Sequence, residues 1–168
     1  FIVIAINQAL KTHGGDLSIG AYGIVNRIVF VFIMVVMGLT QGMQPIVGYN
    51  YGAKQMDRVF QTLKMTIYYA TAVLTLGFAV CLLFPETVVS IFTTDTVLME
   101  KSAQGLRLIV SMFPLVASSM VIGNFFQSIG KPKRSIFLSL SRQLIFLLPC
   151  LWILPDFFGV DGVWYSFI

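Results

Sequence analysis

Charged residues are scarce in this sequence. Asp, Glu, Lys and Arg make up 11% of its 168 residues, whereas hydrophobic residues make up 57% and the mean hydropathy is +0.87. An ordinary soluble domain contains about 25% charged residues. Because so few charges cannot cover a water-facing surface, lipid is expected to be the solvent of this chain. The composition predicts an all-α protein that crosses a membrane several times, since about 20 apolar residues in a helix make one crossing.

Residues that perform catalysis or bind metals are also few. The single histidine, His13, lies in a glycine-containing stretch, and the two cysteines, Cys81 and Cys150, lie inside apolar runs. The sequence carries no zinc-protease, redox-cysteine, nucleophile-elbow or phosphate-loop motif. We therefore expect no enzymatic activity, no catalytic residue, no metal site and no cofactor.

Carboxylates are missing from the middle of every apolar run. All seven lie at segment ends or in links, at Asp16, Asp57, Glu86, Asp95, Glu100, Asp156 and Asp161. A transporter coupled to a cation usually carries an acid within the membrane that titrates or binds the ion. If this protein is coupled to an ion, the coupling site is expected to lie outside these residues.

Six apolar segments follow one another along the chain. They cover about 1–10, 19–51, 59–84, 103–129, 135–154 and 160–168. The first and last are too short to cross a hydrocarbon core about 30 Å thick, so we expect a piece of a longer membrane protein, cut within a helix at both ends. A turn-forming stretch at 12–18 separates the first two segments. The second segment is long for one crossing and is expected to tilt, or to kink near Gly42 to Pro45.

Basic residues concentrate in alternate links. The links after the second and fourth segments hold Lys54, Arg58, Lys64, Lys131, Lys133 and Arg134, whereas most acids lie in the other links. Because positively charged loops stay in the cytoplasm, loops 52–64 and 130–135 are predicted to be cytoplasmic. The net charge of +4 is thus explained by the basic cytoplasmic loops, and nucleic acid is not expected as a partner.

Polar and small residues interrupt the apolar segments. The candidates for a substrate path are Met37, Gln41, Gln44, Tyr49, Asn50, Asn124 and Gln127. Hydrogen bonding between helices is the structural alternative for each polar member of this set. The candidates for close helix packing or a hinge are Gly42, Pro45, Gly48 and Gly52.

Two arginines are predicted to lie within the membrane, Arg27 in the second segment and Arg142 in the fifth. Charged side chains at that depth usually face protein or a watery cavity. The alternative is that the long side chain extends along the helix to the membrane surface.

Four motifs, taken together, resemble those of multidrug and toxic compound extrusion (MATE) transporters. They are AYGIVNRI at 21–28, QGMQPIVGYNYGAK at 41–54, QSIGKPKR at 127–134 and SRQLIFLLP at 141–149. The resemblance implies half of a twelve-helix transporter with two six-helix bundles around a central cavity. This chain would be the C-terminal lobe, from the end of helix seven to the start of helix twelve. The N-terminal lobe, small-molecule drugs and the bilayer of a bacterial inner membrane would be its partners.

The same resemblance implies an antiporter that exports organic, often cationic drugs in exchange for protons or sodium ions. Some members bind the cation through acids in helices seven and ten. Here Asn7 and Gln8 stand in the visible part of helix seven, and no acid occurs in 103–129. This departure favours coupling through an aspartate of the N-terminal lobe.

Two alternatives remain at this stage. A lipid-linked oligosaccharide flippase of the same superfamily would be expected to line its cavity with more basic residues than Arg27 and Arg142. A membrane scaffold without transport activity predicts that replacing Gln41, Gln44 or Asn50 alters folding but not drug tolerance.

Overall fold

The described part of the chain folds into six α-helices without strands. The computed structural model describes residues 2–111, 113–141, 147, 149, 150, 153 and 154. The helices are α1 (Ile2–Gly52), α2 (Met56–Leu83), α3 (Pro85–Ser90), α4 (Thr96–Val110), α5 (Phe113–Ser128) and α6 (Pro132–Leu140). The predicted partial segment 160–168 lies outside the described residues.

Helix α1 contains the first two predicted segments as two helical stretches that meet at a kink at Gly15. The break falls within the predicted turn at 12–18 but is shorter than predicted, because only Gly15 has a non-helical backbone, with φ 67° and ψ −169°. No such break occurs at Pro45, which lies inside the helix. Proline is tolerated in membrane helices where neighbouring groups satisfy the carbonyl that it leaves without a donor.

The predicted helix at 103–129 is two helices. Helices α4 and α5 are bent by 55° relative to each other. The break has a local cause: Pro114 has no N–H, and its ring clashes with the carbonyl four residues earlier, on Val110, where α4 ends. Helix α4 also begins earlier than predicted because Asp95 caps it, accepting hydrogen bonds from Val97 N at 2.9 Å and Leu98 N at 3.2 Å.

Helix α5 ends in a turn that reverses the chain into α6. Gly130 has φ 72°, its N–H donates to Gln127 O at 3.1 Å, and Lys131 N–H donates to Phe126 O at 2.9 Å. These two hydrogen bonds, together with the left-handed backbone of Gly130, form a Schellman motif. Pro132 then starts α6 at the first helical position, which needs no N–H. The helix thus begins three residues before the predicted 135.

Helix α1 ends in the same arrangement, but with lysine in the place of glycine. Lys54 has φ 59°, its N–H donates to Tyr51 O at 3.1 Å, and Gln55 N–H donates to Asn50 O at 2.9 Å. A left-handed conformation costs an L-residue with a Cβ roughly 1–2 kcal/mol. Gly52, one of the candidates for close helix packing or a hinge, lies two residues earlier within the helix.

The core lies between α1, α2, α4 and α5. Helix α2 packs against α1 and α5, while α4 packs against α1. The fully buried apolar side chains recur at helical spacing on each element, and they include Val25, Val36, Met43, Val47, Ala70, Leu74, Leu106, Val110, Ala117 and Val121. Phe32 of α1 meets Phe113 of α5 edge to face, with ring centroids 5.7 Å apart. One stripe of each helix therefore forms the interior.

The outside of the bundle is apolar. Two helices, Gly15–Gly52 and Met56–Leu83, are long and apolar enough to cross a membrane, and the bent pair α4–α5 makes a third if it is one span. The exposed large apolar residues of α2 include Met65, Tyr68, Tyr69, Leu76, Val80 and Leu83. Such a surface suits hydrocarbon rather than water.

The turn after α1 yields a stability prediction. Lys54→Gly removes the penalty of a left-handed Cβ and is expected to raise the free energy of unfolding by about 0.5–1 kcal/mol, after the greater entropy of glycine in the unfolded chain is subtracted. Lys54→Ala removes the same charge but keeps the Cβ, so it should bring no gain. Unfolding of the complete protein in mixed micelles with increasing SDS measures both. Equal stability changes in the two variants would contradict this account.

Candidate functional site

Four of the predicted positions form one stripe along α1, namely Met37, Gln41, Gln44 and Gly48, which we call the polar stripe. Their spacings of four, three and four residues place them within about 60° of the helix circumference. The stripe borders the buried face of α1: Gln44 and Gly48 are half-buried, whereas Met37 and Gln41 are exposed. One part of the stripe is thus available for packing, and the other part opens away from the core.

The buried part of the stripe holds the hydrogen bond that joins α1 to α5. Gln44 Nε2 donates to Asn124 Oδ1 at 3.0 Å, across 80 residues of sequence. Asn124 Nδ2 donates to Met120 O of its own helix at 2.9 Å. Because that bond occupies the Asn124 amide nitrogen, its oxygen is left to face Gln44. Two of the predicted substrate-path residues therefore bond to each other.

Gly48 faces the backbone of α5 beside this bond. A Cβ at Gly48 would lie 3.4 Å from the backbone carbonyl oxygen of Ser128 on α5. Among the described residues, nothing lies within 4 Å of a Cβ built at Gly42 or Gly52. Only Gly48, of the three, thus allows close packing inside this part of the molecule.

The remaining α1 candidates lie on opposite sides of the helix. Tyr49 is 78% exposed. Asn50 is only 7% exposed, and its Nδ2 donates to Ile46 O at 2.8 Å. Asn50 Oδ1 has no hydrogen-bond partner within the described part of the chain. Asn50 is therefore turned into the core, away from the surface that Gln41 and Tyr49 share.

Gln127 joins α5 to α6. Its Nε2 donates to Ser135 Oγ at 3.1 Å across the Gly130 turn. Ser135 and Ser128 were not among the predicted residues, although each takes part in a helix contact. The available signal was weak: both are small polar residues close to Gly130, where a turn was expected.

Among the described residues, no cluster of metal-binding side chains accompanies the polar stripe. Arg27 is exposed on α1, while Arg142 lies outside the described residues. Over the stretches that the structure describes, no group of three or more His, Cys, Asp or Glu side chains could hold a metal ion. The chemistry available around the polar stripe is neutral hydrogen bonding.

The Gln44–Asn124 bond can be tested with a double-mutant cycle. We expect Gln44→Leu and Asn124→Leu each to destabilise the complete protein, and the double variant to lose less than the sum. The coupling should be about 0.6–1.7 kcal/mol, the range for side-chain hydrogen bonds between membrane helices. Unfolding in SDS-containing micelles measures it. Gln41→Leu serves as the control, because exposed Gln41 lacks a described partner; a loss as large as that of Gln44→Leu would refute the assignment.

Comparison with known proteins places this geometry in a family. The MatE family profile matches residues 2–153. The multidrug export protein MepA of Staphylococcus haemolyticus (strain JCSC1435) is 24% identical over 98% of this chain, and MepA of Staphylococcus aureus (strain N315) is 26% identical over 100%. The chain spans 36% and 37% of those two proteins.

Solved structures of transporters also resemble this chain. The MATE multidrug transporter DinF-BH is 43% identical, with a TM-score of 0.82 over 98% of this chain and 37% of that chain. An outward-facing MATE family transporter of the MOP superfamily is 22% identical, with a TM-score of 0.90 over 99% of this chain and 38% of that chain, a likeness of fold. These matches describe an all-α polytopic membrane protein, and this chain belongs to the MatE family.

Proposed function

We propose that this chain is the C-terminal lobe of a multidrug efflux transporter, which exports organic, often cationic drugs across a bacterial inner membrane by alternating access. A second six-helix lobe would complete a twelve-helix protein around a central cavity. The length supports this proposal, because the chain spans little more than a third of each relative that it matches. The names of these relatives, multidrug export protein and multidrug transporter, supply the substrate class.

The observation that carries the proposal is the contrast between the exposed faces of α1 and α2. Between Met65 and Leu83, the exposed residues of α2 are apolar or tyrosine apart from Thr75. The exposed residues of α1 between 37 and 52 are Met37, Gly38, Gln41, Gly42, Pro45, Ile46, Tyr49 and Gly52. A glutamine and three glycines gain little from hydrocarbon. We infer that this face of α1 meets the cavity and the other lobe.

Loop charge supports the orientation of the cavity face. The loops at 52–64 and 130–135 contain six basic residues and one acid, which assigns them to the cytoplasm. The polar end of α1 then opens towards the cytoplasmic mouth, where a drug would enter before export.

Transport can be tested with the complete protein in drug-sensitive cells. Energised cells should accumulate less of a fluorescent cationic dye when the transporter is present. Accumulation should rise again when the proton or sodium gradient that drives export is collapsed. Dye accumulation that is the same with and without the protein under both gradients would overturn the proposed function.

The cavity face makes a narrower prediction. Gln41→Ala removes one neutral hydrogen-bonding group from the proposed path and is expected to slow dye export by about 3–10-fold, the worth of one hydrogen bond, without changing the amount of folded protein. Gln61→Ala is the matched control, because Gln61 is an exposed glutamine on α2. The two variants should differ in export rate and not in abundance. If export falls equally in both, the α1 face is not the path.

The coupling ion gives a further prediction. We propose that a proton or a sodium ion drives export and that the coupling carboxylate lies in the other lobe. Asp57→Asn alters an exposed carboxylate in the first turn of α2, and Glu100→Gln alters one in the second turn of α4. Both variants are then expected to leave gradient-driven dye export unchanged. Loss of gradient dependence with normal abundance in either variant would place the coupling site in this lobe instead.

A further inference from the structure

A basic and aromatic cavity lies at the junction of α5 and α6, apart from the polar stripe. It has a volume of about 370 Å³ and is lined by Phe126 of α5 and by Lys133, Arg134 and Phe137 of α6. Phe126 is half-buried and Phe137 is 70% exposed. The cavity therefore opens at the surface of the bundle, and its wall is almost entirely apolar, formed by the two aromatic rings and by the carbon atoms of Lys133 and Arg134.

The order of these residues along α6 separates charge from apolar surface. Lys133 and Arg134 lie in the first turn, beside the Gly130 turn, whereas Phe137 lies one turn further along. Because residues three and four apart share a helix face, Phe137 lies on the same side as both cations. The two basic residues thus lie at the loop end of α6, and Phe137 lies one turn further from the loop on the same side of the helix.

Neither cation is neutralised by a described carboxylate, and Arg134 is oriented by a neighbouring ring. The Arg134 guanidinium carbon lies 5.9 Å from the centre of the Phe126 ring, which orients the group by a cation–π contact. Neither Lys133 nor Arg134 forms an ion pair with a carboxylate inside the described ranges. Two exposed positive charges beside an apolar wall suit an anion that carries its own apolar part.

We propose that this cavity binds an anionic phospholipid of the cytoplasmic leaflet. The phosphate would lie between Lys133 and Arg134, and an acyl chain would lie along Phe126 and Phe137. Charge complementarity selects this occupant, because basic pockets at the cytoplasmic ends of membrane helices bind anionic headgroups. A cationic drug would be repelled by the same two side chains. The inference rests on the membrane orientation in the proposed function, but not on drug export.

Binding can be measured on the complete, detergent-purified transporter by native mass spectrometry. The added lipids are phosphatidylglycerol and phosphatidylcholine with identical chains, and no drug is present. We expect preferential retention of phosphatidylglycerol. The double variant Lys133→Gln/Arg134→Gln should weaken it roughly 30-fold, which is about fivefold for each charge removed near a membrane surface. Phosphatidylcholine retention should stay the same.

Two further variants make the test specific. Arg58→Gln/Lys64→Gln removes two exposed charges on the same proposed side of the membrane, on α2, and should leave phosphatidylglycerol binding unchanged. Phe137→Ala should weaken it roughly tenfold by removing apolar contact. If both charge variants lose phosphatidylglycerol binding equally, the lipid is attracted by the general positive charge of this side of the protein and not by the cavity. Unchanged binding in Lys133→Gln/Arg134→Gln, or equal retention of both lipids, would overturn the proposal and leave the cavity to a segment of the other lobe.

Discussion

The contact between α1 and α5 is the constraint on which the rest of this lobe depends. In lipid, apolar side chains gain nothing by leaving hydrocarbon for another helix, so helix association relies on close packing and hydrogen bonds. Gly48 supplies the first, with 3.4 Å between a Cβ built there and the Ser128 carbonyl, and Gln44 supplies the second through Asn124. The two contacts lie one helical turn apart on α1, and the amides bond at 3.0 Å. A fixed contact here also fixes which face of α1 is left open.

Much of the fold could be predicted because its signals are local. Runs of apolar residues marked the helices, and Gly130 with Pro132 marked the turn between α5 and α6. The errors arose where one residue acts on the backbone without changing hydrophobicity. Asp95 extends α4 towards its N-terminus by capping, and Pro114 breaks an otherwise apolar stretch. A hydropathy window treats both positions alike, since it measures solvent preference rather than hydrogen bonding.

The candidate site could be predicted only as a set of residues. Spacing places Gln41, Gln44 and Asn50 on faces relative to one another, but it does not say which face meets another helix. The structure separates them: Gln44 bonds to α5, Asn50 is buried, and Gln41 is exposed. The partner of Gln44 lies 80 residues away. A pair so distant is fixed by tertiary packing, which a single sequence does not encode in any local pattern.

The absence of carboxylates from the apolar segments limits what this lobe can contribute to the proposed transport. On its side of the cavity, a cationic drug would meet amide and hydroxyl dipoles, an apolar wall and no negative charge. Neutral groups of this kind adapt to substrates of different shape, whereas a fixed carboxylate selects for a cation at one point. Charge recognition and ion coupling would then belong to the other lobe, and shape tolerance to this one. Such a division separates the two requirements of a multidrug transporter: a titratable group that responds to the ion, and a surface that accepts many ligands.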